Sequence, residues 1–172
     1  IGESDLSDII SAWENSLLDV GIKLAYLPSP GIVKLRITAI GNRENELRNL
    51  IEKYVQKLVD LIPNYIYGYD KDKLEQVVGE LLAKKNASLS LAESCTGGNL
   101  AHMITSVSGS SSYFIGSVVA YSNTIKADLL NVNSELIHQY GAVSKQVVEQ
   151  MALGANFRFG TDYSIATSGV AG

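Results

Sequence analysis

The feature that most constrains this chain is a change of pattern near residue 70. Ahead of it, two strand-like segments lie between two amphipathic helices. Beyond it, strand runs alternate with helices, the mark of an α/β layer. Two units follow: a small α+β unit over residues 1–69 and an α/β unit over residues 70–172. In the first, Ser4 is placed to cap a helix whose Leu6, Ile9, Ile10, Trp13 and Leu17 recur at helical spacing. Ile22 to Leu27 reads as a strand, and Pro28-Ser29-Pro30-Gly31 turns the chain. Ile32 to Ile40 then alternates, Val33, Leu35 and Ile37 against Lys34, Arg36 and Thr38, as a half-buried antiparallel partner. After Gly41-Asn42, a helix from Arg43 to Ile62 turns Leu47, Leu50, Ile51, Tyr54, Leu58 and Ile62 inward. Pro63 stops it, and Tyr65 to Tyr69 is expected to add an edge strand with Tyr65, Tyr67 and Tyr69 on one face. Packing is the ordinary role of such a row; stacking on bases asks for a basic setting.

In the second unit, Lys71 to Lys84 forms an amphipathic helix with Leu74, Val77, Val78, Leu81 and Leu82 on its stripe. Ala87 to Ala92 reads as a strand and Gly97 to Val107 as a helix. Tyr113 to Tyr121 is nearly continuous apolar β, the pattern of a strand covered on both faces. Asn123 caps a short helix to Leu130, and Ser134 starts another that Gly141 ends. Ser144 caps a longer helix through Val147, Val148, Met151, Ala152, Ala155 and Phe159, closed by Gly160. Tyr163 to Thr167 is a last strand, followed by Ser168-Gly169-Val170-Ala171-Gly172 with no helix after it. The expectation is a domain cut short, in a fragment or truncated product.

Charge and cysteine content narrow the setting. Fourteen basic against eighteen acidic side chains in 172 residues leave a formal charge of −4, which offers no electrostatic footprint for a nucleic-acid backbone. The longest apolar runs, such as Phe114 to Ala120, fall far short of the roughly 18–20 residues of a membrane span. No basic stretch leading into an apolar core opens the chain, and the lone Cys95 excludes an intrachain disulfide. A cytoplasmic protein is expected.

The densest chemistry lies in Ala92-Glu93-Ser94-Cys95-Thr96-Gly97-Gly98, between a strand and a helix. A polar turn opening a helix offers unpaired N–H groups to an anion, and two glycines let a ligand approach the backbone. Ser94, Cys95 and Thr96 stand at the carboxyl end of a strand, where open α/β sheets place their ligands. The plainer alternative, that Ser94 and Thr96 only cap the helix, weighs about equally. The segment is neither G-x-S-x-G, nor a phosphate loop with its lysine, nor a G-x-G-x-x-G fingerprint. His102 and His138 are 36 positions apart, outside short-range metal-ligand spacing, and read as surface or packed histidines. In Val119-Ala120-Tyr121-Ser122-Asn123-Thr124-Ile125-Lys126, Tyr121 ends a strand and Lys126 lies one helical turn onward. Such a pair can relay protons if burial or a neighbouring cation shifts their pKa values. A core tyrosine beside a solvated lysine is the competing reading.

Glu93-Ser94-Cys95-Thr96-Gly97-Gly98, Tyr121-Ser122-Asn123 with Lys126, Gly141-Ala142-Val143-Ser144 and Ser168-Gly169-Val170-Ala171-Gly172, in this order, resemble the CinA family and more narrowly its C-terminal nicotinamide-nucleotide amidase domain. The opening Ile1-Gly2-Glu3-Ser4 and the Pro30-Gly31…Arg36 hairpin resemble the KH-like middle region of the same family, so the likeness covers essentially the whole chain. The resemblance implies a KH-like αββα(β) unit followed by an amidase domain of three-layer α/β type. It further implies deamidation of nicotinamide mononucleotide to nicotinic acid mononucleotide and ammonia, without metal or cofactor. By it, Ser94 falls on the nucleophile and Tyr121 and Lys126 on the groups that assist it. Cys95, Thr96, Gly97, Gly98, Asn123, Ser168 and Gly169 fall on substrate-binding positions, Ser168 where relatives commonly have threonine. Chemistry alone leaves the base open between a neutral lysine and a lysine-stabilised tyrosinate, and leaves Cys95 as an alternative nucleophile. It also leaves open whether the turn from Cys95 to Gly98 holds a phosphate or an oxyanion.

Two departures bear on activity. Full-length relatives carry a preceding nucleotide-hydrolysing domain and continue beyond Gly172, so the fragment is expected to hold the nucleophile and either to be inactive alone or to rely on another chain to finish the fold. Exposed sheet edges pair with other chains, hence the expectation of a homo-oligomer. The partners expected are a pyridine nucleotide and a second copy, with neither membrane nor nucleic acid, since residues 1–68 lack a G-x-x-G clamp with basic neighbours. The alternative from another class is a non-catalytic nucleotide-binding or adaptor module linked to competence or DNA damage.

Overall fold

A computed structural model describes residues 1–170 and divides the chain into two compact units, Ile1–Tyr67 and Gly68–Gly172. In the first, α1 (Glu3–Leu18) packs with the antiparallel hairpin β1 (Lys23–Ser29) and β2 (Ile32–Thr38) and with α2 (Glu44–Leu61). Register fixes the buried face: Leu24 pairs with Ile37 and Tyr26 with Leu35, and all four pack on the core of Leu6, Ile10, Trp13, Leu17, Ile22, Tyr54, Leu58 and Ile62. The indole N–H of Trp13 donates to the Tyr54 carbonyl at 3.0 Å, satisfying a polar group that burial would otherwise strand. Two expectations fail here. Gly2 occupies the cap position of α1 and no side chain caps it; Ser4 lies inside the first turn. Tyr65 to Tyr69 forms no strand, because the chain turns after Pro63 and continues irregularly, with Tyr65 and Tyr69 about half exposed.

In the second unit a parallel three-stranded sheet runs in the order β4-β3-β5, with β3 (Leu89–Glu93) between β4 (Phe114–Val119) and β5 (Tyr163–Thr167). The side chains of β3 alternate between two cores. Leu89 and Leu91 pack with Leu82 of α3 (Leu74–Lys85), Ile104 of α4 (Asn99–Thr105) and Tyr113. Ala92 packs with Leu130 of α5 (Asn123–Leu130) and with Val147, Met151 and Ala155 of α7 (Lys145–Phe159). Helices on both faces of one sheet make three layers. α6 (Ser134–Tyr140) connects α5 to α7, with Asn133 as its cap. Leu74 and Leu81 of α3 are about half exposed, and Gly79 and Leu82 are the residues buried instead.

The expectation that Tyr113 to Tyr121 is covered on both faces is corrected. β4 lies at an edge of the sheet, with Ile115 and Val119 about half exposed. An apolar run cannot distinguish a central strand from an edge strand whose outer side chains remain in water. Ser122, rather than Asn123, caps α5, its hydroxyl accepting from the Ile125 N–H at 3.2 Å. Ala171 and Gly172 of the closing motif lie outside the described residues. No helix among the described residues is long and apolar enough to cross a membrane.

Candidate active site

β3 is buried along its whole length and delivers Ser94 to its carboxyl end, where the residue is 8 % exposed. Main-chain bonds clamp this point from both neighbouring strands: Ser94 N–H donates to the Thr167 carbonyl at 3.0 Å, and Ala120 N–H donates to the Glu93 carbonyl at 2.7 Å. The side chain of Lys126 is 1 % exposed and lies on α5, one turn beyond the Ser122 cap. Its Nζ lies 3.1 Å from Ser94 Oγ, 2.8 Å from the Ala120 carbonyl oxygen and 3.1 Å from the Tyr121 carbonyl oxygen. Burial holds the Lys126 amine below the ordinary lysine range, although the neighbouring Cys95 thiol pulls the other way.

Those three contacts are a proton-transfer geometry. An ammonium donates to all three oxygens. Once it loses a proton, two N–H bonds still reach the two carbonyls and the lone pair faces Ser94 Oγ, which can then donate to it. Ala120 and Tyr121 thus orient the amine through their backbones. The Tyr121 side chain is 70 % exposed, and its hydroxyl makes no hydrogen bond to the described residues. The expected convergence of hydroxyl, amine and phenol is therefore observed for the first two groups and not for the third.

The turn after Ser94 differs from a free anion cradle. The Glu93 side chain is fully buried, and its Oε2 accepts from Thr96 Oγ1 at 2.7 Å, Gly98 N–H at 3.1 Å and Leu100 N–H at 2.9 Å. Its Oε1 accepts from Ala101 N–H at 2.8 Å, with Ser117 Oγ at 3.5 Å. Burial pushes this carboxyl up, but the bonds from Thr96, Ala101, Leu100 and Gly98 outweigh it and hold the group below its ordinary pKa. Glu93 thus occupies the start of α4 with a charge of its own, and Gly97 N–H is taken by the Ser94 carbonyl at 3.1 Å. Of the turn's donors, Cys95 N–H and Thr96 N–H have no partner among the described residues. The expected anion cradle from Cys95 to Gly98 is thereby narrowed to these two. Gly97 and Gly98 sit at φ +58° and +100°, where a Cβ is strained, so the turn itself requires glycine.

The remaining motifs close on the same place. Thr96 Oγ1 gives its proton to Glu93, so Thr167 Oγ1, 2.6 Å away, donates to Thr96. Ser168 Oγ donates to the Ala142 carbonyl at 3.1 Å, tying the loop after β5 to the Gly141–Ser144 turn. A Cβ on Gly169 would come within 3.1 Å of Cys95 Sγ, so this glycine lies against the nucleophile turn. Asn123 is exposed at the start of α5, with no hydrogen bond to the Ser94 turn among the described residues. His102 and His138 are both exposed, and no group of three potential metal ligands occurs among the described residues. Sequence reasoning passed over Glu93, Thr167 and the Ala120 carbonyl. Glu93 had left a trace: a lone acid ending the strand run Leu89-Ser90-Leu91-Ala92, just before a turn rich in orphan N–H groups.

Known proteins resemble this chain in sequence and fold. The model of the CinA C-terminal domain matches residues 71–172, and that of the damage-inducible protein CinA KH domain matches residues 1–68. A CinA-like protein of Cytophaga hutchinsonii is 46 % identical over 172 residues, covering 100 % of this chain and 41 % of that protein. One from Flavobacterium psychrophilum is 49 % identical over 173 residues, with the same coverage. The chain therefore spans about two-fifths of the length of these relatives. Among solved structures, the competence/damage-inducible protein CihA from Agrobacterium tumefaciens matches with a TM-score of 0.58 at 36 % identity, over 62 % of this chain and 65 % of that one. A CinA superfamily protein from Escherichia coli matches with a TM-score of 0.57 at 31 % identity, over 60 % of this chain and 62 % of that one.

Proposed function

Because the chain belongs to the CinA family over its whole length, we propose that its second unit is a serine amidase acting on the carboxamide of nicotinamide mononucleotide. The observation that carries this reading is the buried Lys126 amine 3.1 Å from Ser94 Oγ. Ser94 Oγ attacks the carboxamide carbon while Lys126 Nζ takes the hydroxyl proton. The ammonium that results finds the Ala120 and Tyr121 carbonyls already in place. The tetrahedral oxyanion accepts from the main-chain N–H groups of Cys95 and Thr96. Lys126 returns the proton to the amide nitrogen, the C–N bond breaks, and ammonia leaves an ester on Ser94. Water, deprotonated by the same amine, hydrolyses that ester to nicotinic acid mononucleotide and restores the hydroxyl. Tyr121 contributes its carbonyl to Lys126 and leaves its ring to the ligand, beside Asn123; Ser168 and Gly169 form the facing wall. Self-association and a cytoplasmic setting belong to the same proposal, the first resting on the edge strands β4 and β5.

Ammonia release from nicotinamide mononucleotide tests it. Ser94→Ala should lower turnover by about three orders of magnitude or more while leaving nucleotide affinity within a few-fold. Turnover unchanged in Ser94→Ala would remove the nucleophile assignment. Calorimetric binding of the nucleotide with no ammonia from the unaltered protein would favour a non-catalytic nucleotide-binding module.

A further inference from the structure

We infer that Glu93 is a positioning residue for Ser94, acting through the Glu93–Thr96–Thr167 hydrogen-bond network, an inference that rests on the amidase reading. Its carboxylate ends β3, lies next to the nucleophile in sequence and is fully buried. Four donors within 3.1 Å fix it: one hydroxyl and three main-chain N–H groups. All four donors belong to the turn and first helical residues beyond Ser94, so the side chain before the nucleophile and the chain after it are joined into one loop. The Glu93 carbonyl, held by Ala120 N–H, joins that loop to the strand end that also aims Lys126. Thr96 extends the network to Thr167 and so to the strand whose carbonyl binds Ser94 N–H. Ser94 itself is held by its N–H on the Thr167 carbonyl and by its carbonyl on Gly97 N–H, and the Glu93 network fixes the residues on either side of these two bonds. An anion at this helix start is satisfied internally, so the arrangement serves geometry rather than ligand binding.

A helix cap alone would predict a different outcome from a positioning group. Loss of a cap lowers stability and leaves each folded molecule as reactive as before. Loss of a positioning group leaves a folded protein whose Ser94 is misaimed, and small misplacements cost up to about a hundredfold in rate. Glu93→Gln offers one acceptor oxygen where four donors converge and turns its own NH2 towards N–H groups. The test compares the full protein with Glu93→Gln, Thr96→Val and Thr96→Ser, in ammonia release and in labelling of Ser94 by a fluorophosphonate, at a temperature where circular dichroism finds each folded.

Glu93→Gln should lower kcat by about ten- to a hundredfold with KM within about twofold, and slow Ser94 labelling in proportion. Thr96→Val should show a smaller loss of the same kind, and Thr96→Ser, which keeps the hydroxyl, should recover most of it. Folded Glu93→Gln with unaltered kcat and labelling would overturn the inference. If that variant does not fold, equal kcat and labelling in Thr96→Val and Thr96→Ser would overturn it. An unaltered protein that is labelled at Ser94 but releases no ammonia sinks the amidase reading alone, and the labelling comparison then decides the role of Glu93. Absence of both labelling and ammonia from the unaltered protein would overturn both.

Discussion

At the scale of single residues, the protonation of Lys126 controls the chemistry proposed here. Burial disfavours the ammonium, so the amine titrates below the ordinary lysine value of 10.5. The amine is the active form, so kcat should rise with pH and level off once Lys126 has lost its proton, with a midpoint below 10.5. Stability should move in the same sense. Between the folded and unfolded pKa the unfolded chain binds more protons at this residue, so its contribution opposes folding at lower pH and that opposition fades as pH rises towards 10.5. Lys126→Met should abolish turnover and flatten this component in both profiles, read by ammonia release and by thermal melts across pH. A pH–rate curve in Lys126→Met that matched the unaltered protein would exclude the lysine as base. Ser94 and Lys126 stand 32 positions apart, so no local spacing rule joins them, and in the sequence only the family resemblance does. Proximity in sequence pairs Tyr121 with Lys126, but the strand end turns its carbonyl, not its hydroxyl, towards the amine. Backbone acceptors leave no mark in residue type.

Among elements, α7 crosses the end of α5 at a close backbone approach. A Cβ at Gly154 would run into the carbonyl of Leu130, a main-chain atom that cannot swing aside as a side chain would. Gly154→Ala gains helix propensity worth up to about 1 kcal/mol, but the steric conflict with a close-packed backbone costs about 1–3 kcal/mol. The net expectation is a lower melting temperature, together with reduced turnover as α5 shifts and takes Lys126 with it. Calorimetric melts of Gly154→Ala equal to or above those of the unaltered protein would refute this crossing. The glycine was not legible as a contact, since the helix pattern there draws attention to Val147, Met151 and Ala155. Strand and helix order in the second unit was legible from alternating apolar runs and capping residues. Coverage was not, as β4 demonstrates, because exposure depends on which strands lie alongside. The Tyr65–Tyr69 segment failed for a related reason: β-prone residues form a strand only when a partner strand is available.

For the whole molecule, what counts is that the two units have separate cores. Leu6, Ile10, Trp13, Leu17, Ile22, Tyr54, Leu58 and Ile62 form one cluster within the first, and no residue of it appears in either cluster of the second. The sole tryptophan of the chain, Trp13, is buried in the first cluster, so its fluorescence reports that unit. Ammonia release reports the second, where Ser94 and Lys126 stand. Ile10 is fully buried, and Ile10→Ala should cost the first unit about 2–5 kcal/mol. For a unit of this size, that shifts its transition by ten degrees or more. The tryptophan transition should therefore move to lower temperature while the inactivation transition and the low-temperature kcat/KM stay in place. Heating both proteins in parallel, with fluorescence and residual activity read from the same samples, makes the comparison direct. If Ile10→Ala moved both transitions together, the cores would be energetically one, and the first unit would belong to the folding of the active site rather than stand beside it.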